Sequence, residues 1–123
     1  MPLCLILSAK TTVTAAPAFP LSWPHPVERT RWEEDWRLPP AGLEVVEARV
    51  KGSGAGMEPP ERAVLKDGWW AYRPTLPPQR ELVLAQSAAT GEGWMLCAGG
   101  RCTAFGQRAA DPGVVRRCGA QDH

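Results

Sequence analysis

Trp23-Pro-His-Pro-Val-Glu-Arg-Thr-Arg-Trp-Glu-Glu-Asp-Trp36 is the stretch on which the fold reading turns. From Arg29 onward the odd positions are Arg29, Arg31, Glu33, Asp35 and Arg37, all charged. The even positions are Thr30, Trp32, Glu34, Trp36 and Leu38. Successive side chains of a strand point to opposite faces, so this alternation predicts a half-buried strand with one wet and one aromatic face. Glu34 breaks the pattern, a carboxylate between two tryptophans on the apolar side. An isolated buried charge is too costly to keep, so Glu34 must be hydrogen-bonded, paired or neutralised. An indole N–H is a fitting donor for it.

On the N-terminal side, 3–8, 11–15 and 19–23 read as strands, the first two forming a hairpin near Ala9-Lys10. Leu3-Cys4-Leu5-Ile6-Leu7 with Ala16-Pro17-Ala18 also has the outline of a signal peptide and its cleavage site. No basic residue precedes that apolar core and Lys10 interrupts it, so the strand pair is favoured over residues 1–18 as a signal. The cytoplasm is accordingly the favoured compartment, with the periplasm as the alternative.

On the C-terminal side, Pro39-Pro40-Ala41-Gly42 marks a turn and 43–51 returns as a valine-rich strand. The glycine-rich run Gly52-Ser53-Gly54-Ala55-Gly56-Met57 follows, closed by Pro59-Pro60. Residues 61–67 read as a short turn of helix or an irregular strand, and 68–72 as an aromatic strand. Residues 81–87 form another strand, and 94–97 with 102–105 a hairpin around Gly99-Gly100. Beyond Gln107 apolar periodicity disappears. The expectation is one small all-β domain over 1–106, about eight short antiparallel strands in a barrel or sandwich, and a disordered tail over 107–123. Trp23, Trp32, Trp36, Trp69, Trp70 and Trp94 are expected to supply much of its core.

Composition narrows the function classes. Fourteen basic and thirteen acidic residues leave a net charge of +1, which gives no broad electrostatic footprint for nucleic acid or an anionic membrane. No apolar run approaches the roughly 20 residues that span a bilayer as a helix. Thirteen prolines and twelve glycines argue against long helices.

His25, Glu28, Trp32 and Glu34 form the candidate functional cluster. His25 stands between two prolines, which hold its backbone stiff and extended, a setting that suits presenting a ring nitrogen and equally suits capping a turn. An inward carboxylate beside such a histidine suits acid/base work, while a structural carboxylate satisfying indole N–H groups is the plainer reading. Gly52, Gly54 and Gly56 follow a strand but lack the lysine and Ser/Thr of a phosphate loop. They fit a tight bend, a close backbone approach, or a nest for a small carboxylate. Cys97 and Cys102 flank four residues of a hairpin and are a candidate disulfide. Zinc would need two further ligands, Cys4 and His25 being available, without the usual spacing. No metal, cofactor or catalytic residue is assigned. Cys118 follows Arg116-Arg117, where neighbouring positive charge favours its thiolate.

Taken together, Trp23-x-His25-x-Val27-Glu28, Trp32-Glu33-Glu34, the run Gly52 to Met57, Asp67-Gly68-Trp69-Trp70 and Trp94-x-Leu96-Cys97 resemble an uncharacterised bacterial family known only as a domain of unknown function, number 1850. The resemblance covers roughly residues 3–105. In the family pattern a serine follows the histidine, where this chain has Pro26. Genes of that family often accompany TRAP transporters of the TAXI type, which pair a periplasmic solute-binding protein with a membrane permease. The resemblance therefore implies an accessory role in solute uptake. With no catalytic constellation in the chain, the expectation is a non-catalytic accessory or binding module, its partner a transporter subunit or a small carboxylate. The alternatives are a small enzyme using Glu34 and His25, and a disulfide- or zinc-stabilised interaction domain.

Overall fold

Alternating side chains and frequent prolines favour strands, and the described residues of the computed structural model (2–24, 30–51, 62–88 and 93–119) contain strands and no helix. In chain order these are β1 (Leu3–Leu7), β2 (Lys10–Thr14), β3 (Ala18–Pro24), β4 (Arg31–Arg37), β5 (Glu44–Lys51), β6 (Val64–Lys66), β7 (Trp69–Tyr72), β8 (Glu81–Gln86), β9 (Trp94–Ala98), β10 (Arg101–Phe105) and β11 (Ala110–Arg117). They pair antiparallel in two sheets, one ordered β2-β1-β11-β8 and the other β10-β9-β3-β4-β5-β7-β6. The sheets stack as a single small sandwich-like domain and do not close into a barrel.

The core lies where the small sheet covers one face of the large one. Leu3, Leu5, Leu84 and Val115 pack from one side against Phe19, Leu21, Trp36 and Leu96 from the other. Period-two alternation produces this arrangement directly: on β3, Phe19 and Leu21 are buried while Pro20 between them is exposed. Phe19 stands opposite Trp36 in the β3–β4 register, and their rings stack with centroids 6.3 Å apart. Leu43 and Gln79 exchange two backbone hydrogen bonds of 2.7 Å, tying the start of β5 to the segment that leads into β8. Gly42 makes that approach feasible: its φ is +135°, and a Cβ there would meet the Gln79 carbonyl oxygen at 2.7 Å.

Two expectations are corrected. The segment from 107 is no disordered tail over its described part, and the domain does not end at 106. β11 occupies the middle of the small sheet, pairing with β1 on one side and β8 on the other. Little in its own sequence makes it a strand; its backbone groups find partners on strands distant in sequence, which no local pattern reports. Cys118 then bonds to Cys4 across a sequence separation of 114, and its N–H donates to the Pro2 carbonyl at 3.0 Å. Cys4 is therefore not a zinc ligand, and the Cys118 thiol does not titrate. The second correction concerns the tryptophans: of the six, only Trp36 is fully buried. Trp23 and Trp94 pack partly buried against the core, and Trp32, Trp69 and Trp70 stay half-buried. Leucine, valine and two phenylalanines fill the space between the sheets instead.

Cys97 and Cys102 are directly opposed on β9 and β10 and are joined by a disulfide. The two bridges differ in access: Cys102 is exposed, whereas Cys4 and Cys118 are 0% and 2% exposed. Thiol–disulfide exchange requires a thiolate to reach a sulfur atom. Limited dithiothreitol under native conditions is expected to open Cys97–Cys102 first, as read by alkylation and peptide mass mapping. Early labelling at Cys4 or Cys118 would contradict this order.

Candidate functional site

The inner face of the large sheet extends past the core as an aromatic region built from three neighbouring strands. Trp23 of β3 lies opposite Trp32 of β4, with ring centroids 6.3 Å apart and planes within 9° of parallel. Trp94 of β9 meets Trp23 at 5.1 Å and tilts by 50°. The row continues through Val50 of β5 to Trp70 of β7. Offset and tilted arrangements of this kind are those that aromatic quadrupoles favour. The Trp94 indole N–H donates to the Ala85 carbonyl at 2.9 Å.

Glu34 occupies the next row of the same face. Its Oε1 accepts a hydrogen bond of 3.0 Å from the indole Nε1 of Trp36, two residues on along the strand. Residues i and i+2 share a face, so β4 supplies both the half-buried carboxylate and its donor. Burial raises the Glu34 pKa above the ordinary glutamate value, and the Trp36 hydrogen bond partly offsets that rise. Across the row, Glu34 is level with Ala48 of β5 and Ala48 is level with Tyr72 of β7. Ala48 is fully buried and carries only a methyl group, so little side chain separates the carboxylate from the phenol. The Tyr72 pKa is raised by burial first and by the Glu34 charge second.

These shifts give a direct measurement. Tyr72 is the only tyrosine in the chain, so tyrosinate absorbance reports it alone. We expect it to titrate above 10.0 in the native protein and to move down towards that value in Glu34→Gln. An unchanged Tyr72 titration in a folded Glu34→Gln variant would show that the two groups do not interact. Stability should respond as well. With the folded pKa of Glu34 raised, its contribution is complete below the unfolded value and is lost as pH rises through the folded value. Glu34→Gln keeps an oxygen for the Trp36 indole and removes the charge. Its urea midpoint should therefore match or exceed the parent's at neutral pH.

The opposite face of β4 is charged, as the alternation predicts, but it is more organised than a simple solvated surface. Arg49 of β5 grips Asp35 with two hydrogen bonds, Nη1 at 2.7 Å and Nη2 at 3.1 Å. It also donates to Glu47 at 2.7 Å and to Glu33 at 3.3 Å. The hydrogen bond to Asp35 is the largest cause holding its pKa above the usual arginine range. Arg31 donates to the Ser22 hydroxyl at 3.1 Å, and Arg37 pairs with Glu44 at 3.0 Å. Among the described residues no group of three or more His, Cys, Asp or Glu is arranged to hold a metal ion.

Of the sequence-derived candidates, Trp32 and Glu34 fall on this one inner face. His25, Glu28 and the glycines Gly52, Gly54 and Gly56 lie outside the described residues. Pro24 is paired with Arg31, and Lys51 with Trp69, all at the end of the large sheet that carries the tryptophan row. Trp36 as the donor to Glu34, and Tyr72 as its neighbour, were not singled out from sequence. The i, i+2 spacing already contained the first, whereas the second depends on the β4–β5–β7 register.

A family model with the description "Domain of unknown function (DUF1850)" matches residues 19–105. No curated protein and no solved structure matches the chain. No helix among the described residues is long and apolar enough to cross a membrane.

Proposed function

Because the chain belongs to the DUF1850 family, a domain of unknown function, we propose that it is a non-catalytic binding module, accessory to solute uptake, that works in an oxidising compartment. The observation that carries this reading is the engagement of Glu34. The inward carboxylate that would have to do chemistry already accepts the Trp36 indole N–H, and so serves to satisfy a polar group of the aromatic region. Both cysteine pairs are bridged, with no free thiol, which supports a compartment such as the bacterial periplasm over the cytoplasm. That is where the solute-binding component of a TAXI-type TRAP transporter works, and the family resemblance supports such a partner. The half-buried tryptophans and Glu34 offer a small ligand both an apolar wall and a hydrogen-bonding group. Co-purification from the native cell tests the proposal. Transporter subunits should be recovered with the tagged chain, and repeated recovery of none would refute the association.

A second reading, a small enzyme using Glu34 with His25, is favoured by one observation: burial pushes the Glu34 carboxyl up towards the range of a general acid. It requires Glu34→Gln to abolish a turnover while the thermal melt stays that of a folded protein. A carried metabolite found by native mass spectrometry and retained by Glu34→Gln would instead favour the binding module.

A further inference from the structure

Among the described residues β6 is the last strand of the large sheet, and no described strand lies beside its outer backbone edge. Such edges are usually kept short or charged to discourage further pairing, and β6 has only three residues and carries Lys66. Here Val64 is 62% and Leu65 is 56% exposed, and as consecutive strand residues they point to opposite faces. An added strand would cover both. Beside β6, chiefly on the charged face of the sheet, lies a groove of about 1030 Å³ lined by Arg62, Lys66 and Arg73 together with Val64, Glu47 and Tyr72. Among the described residues Arg62, Lys66 and Arg73 form no ion pair, while the nearby Glu47 is held by Arg49 at 2.7 Å. The groove is broadly open to solvent, unlike a site that buries most of a small molecule's surface, and its place beside a strand edge suits an extended chain.

We propose that β6 receives an extended acidic segment of a partner protein as an added strand. Main-chain hydrogen bonds to β6 would supply affinity. Acidic side chains over Arg62, Lys66 and Arg73 on the groove face, with apolar ones alternating over Leu65 on the other, would supply specificity. Charge decides against a second copy of this chain as the occupant. Pairing two β6 edges would bring the Arg62, Lys66 and Arg73 sets of both copies together, and like-charge juxtaposition disfavours such a contact. The groove opens on the charged face of the sheet, opposite the Glu34 carboxylate, and adjoins the aromatic face only at Tyr72 and at Leu65, which is level with Trp70. The added strand engages the β6 edge whatever the Glu34 region binds.

The test uses the full chain, isotopically labelled, titrated with a peptide of alternating Glu and Val and with its Lys-Val counterpart. The Glu-Val peptide should shift and protect the amides of residues 64–66, and the Lys-Val peptide should not. Charge reversal at Lys66→Glu with Arg73→Glu, both at exposed positions, should weaken Glu-Val binding by at least about tenfold and admit the Lys-Val peptide. Leu65→Lys, a surface change that guards the edge, should weaken it as well. Equal binding of both peptides, binding of neither, or shifts confined to another surface would overturn the proposal. So would sedimentation showing a dimer that Leu65→Lys dissociates, since the occupant would then be a second copy.

Discussion

Replacing Cys4 and Cys118 together by alanine is expected to destabilise the fold by about 5 kcal/mol and to lower its melting temperature by roughly 15–25 °C. The bridge spans a sequence separation of 114. Chain-entropy arithmetic assigns close to 5 kcal/mol to a closed loop of that order. The whole stability of a small domain is about 5–15 kcal/mol, so this one bond is comparable with the total. Its position strengthens the expectation. Cys4 lies on β1 and Cys118 directly follows β11, so the bond clamps the two central strands of the small sheet, and both sulfur-bearing residues are buried. The Cys97–Cys102 bridge closes a separation of only 5, for which the same arithmetic yields about 2 kcal/mol. Urea unfolding of the two double variants side by side checks the contrast. Equal midpoints would mean that loop length is not what sets the contribution of these bonds.

Phe19→Ala is expected to cost about 3–5 kcal/mol, the range for deleting a buried phenyl ring. Phe19 is 1% exposed and sits where β3 faces the small sheet. Its ring also lies parallel, within 5°, to that of Trp36. Removing it therefore forfeits burial, leaves a cavity and frees one side of the residue that donates to Glu34. Phe19→Leu, which retains most of the volume, should recover a large part of the loss. Thermal melts monitored by tryptophan fluorescence are a suitable readout, since Trp36 adjoins the cavity. A Phe19→Ala cost under about 1 kcal/mol would indicate that this part of the core collapses freely around the gap.

Much of the architecture is legible along the chain because strand patterning is local. The alternation from Arg31 to Arg37 became β4, with its charged face turned to Arg49 and its aromatic face turned inward. The expected strands at 43–51, 81–87, 94–97 and 102–105 appear with shifts of a residue or so at their ends. Pro39 to Gly42 turns where proline and glycine together require it. The pairing of Glu34 with an indole was also foreseeable, since an inward-facing carboxylate and an indole N–H two residues apart satisfy each other at little cost.

The rest depended on register and on which sheet faces which. Ala110-Asp111-Pro112-Gly113 looks like a chain end, yet β11 is held as a central strand because β1 and β8 offer it hydrogen-bonding edges on both sides. Its signals, Val114-Val115 and a cysteine just beyond, are too short to outweigh the proline and glycine before them. Four cysteines allow three pairings, and only proximity in three dimensions selects Cys4 with Cys118. The tryptophans were over-assigned to the core for the same reason: alternation says which face a side chain takes, not whether another sheet covers it there.

By itself, then, the sequence determined the class of the fold, the two-faced character of β4 and the need for a partner at Glu34, because each follows from period-two geometry and the cost of burying charge within a few residues. Only the tertiary structure decided that the two ends of the described chain meet in one sheet, that Tyr72 stands level with Glu34, and that Val64 and Leu65 remain uncovered at an edge. Those are outcomes of strand order and sheet stacking, which join residues far apart in sequence and leave no periodic trace along it.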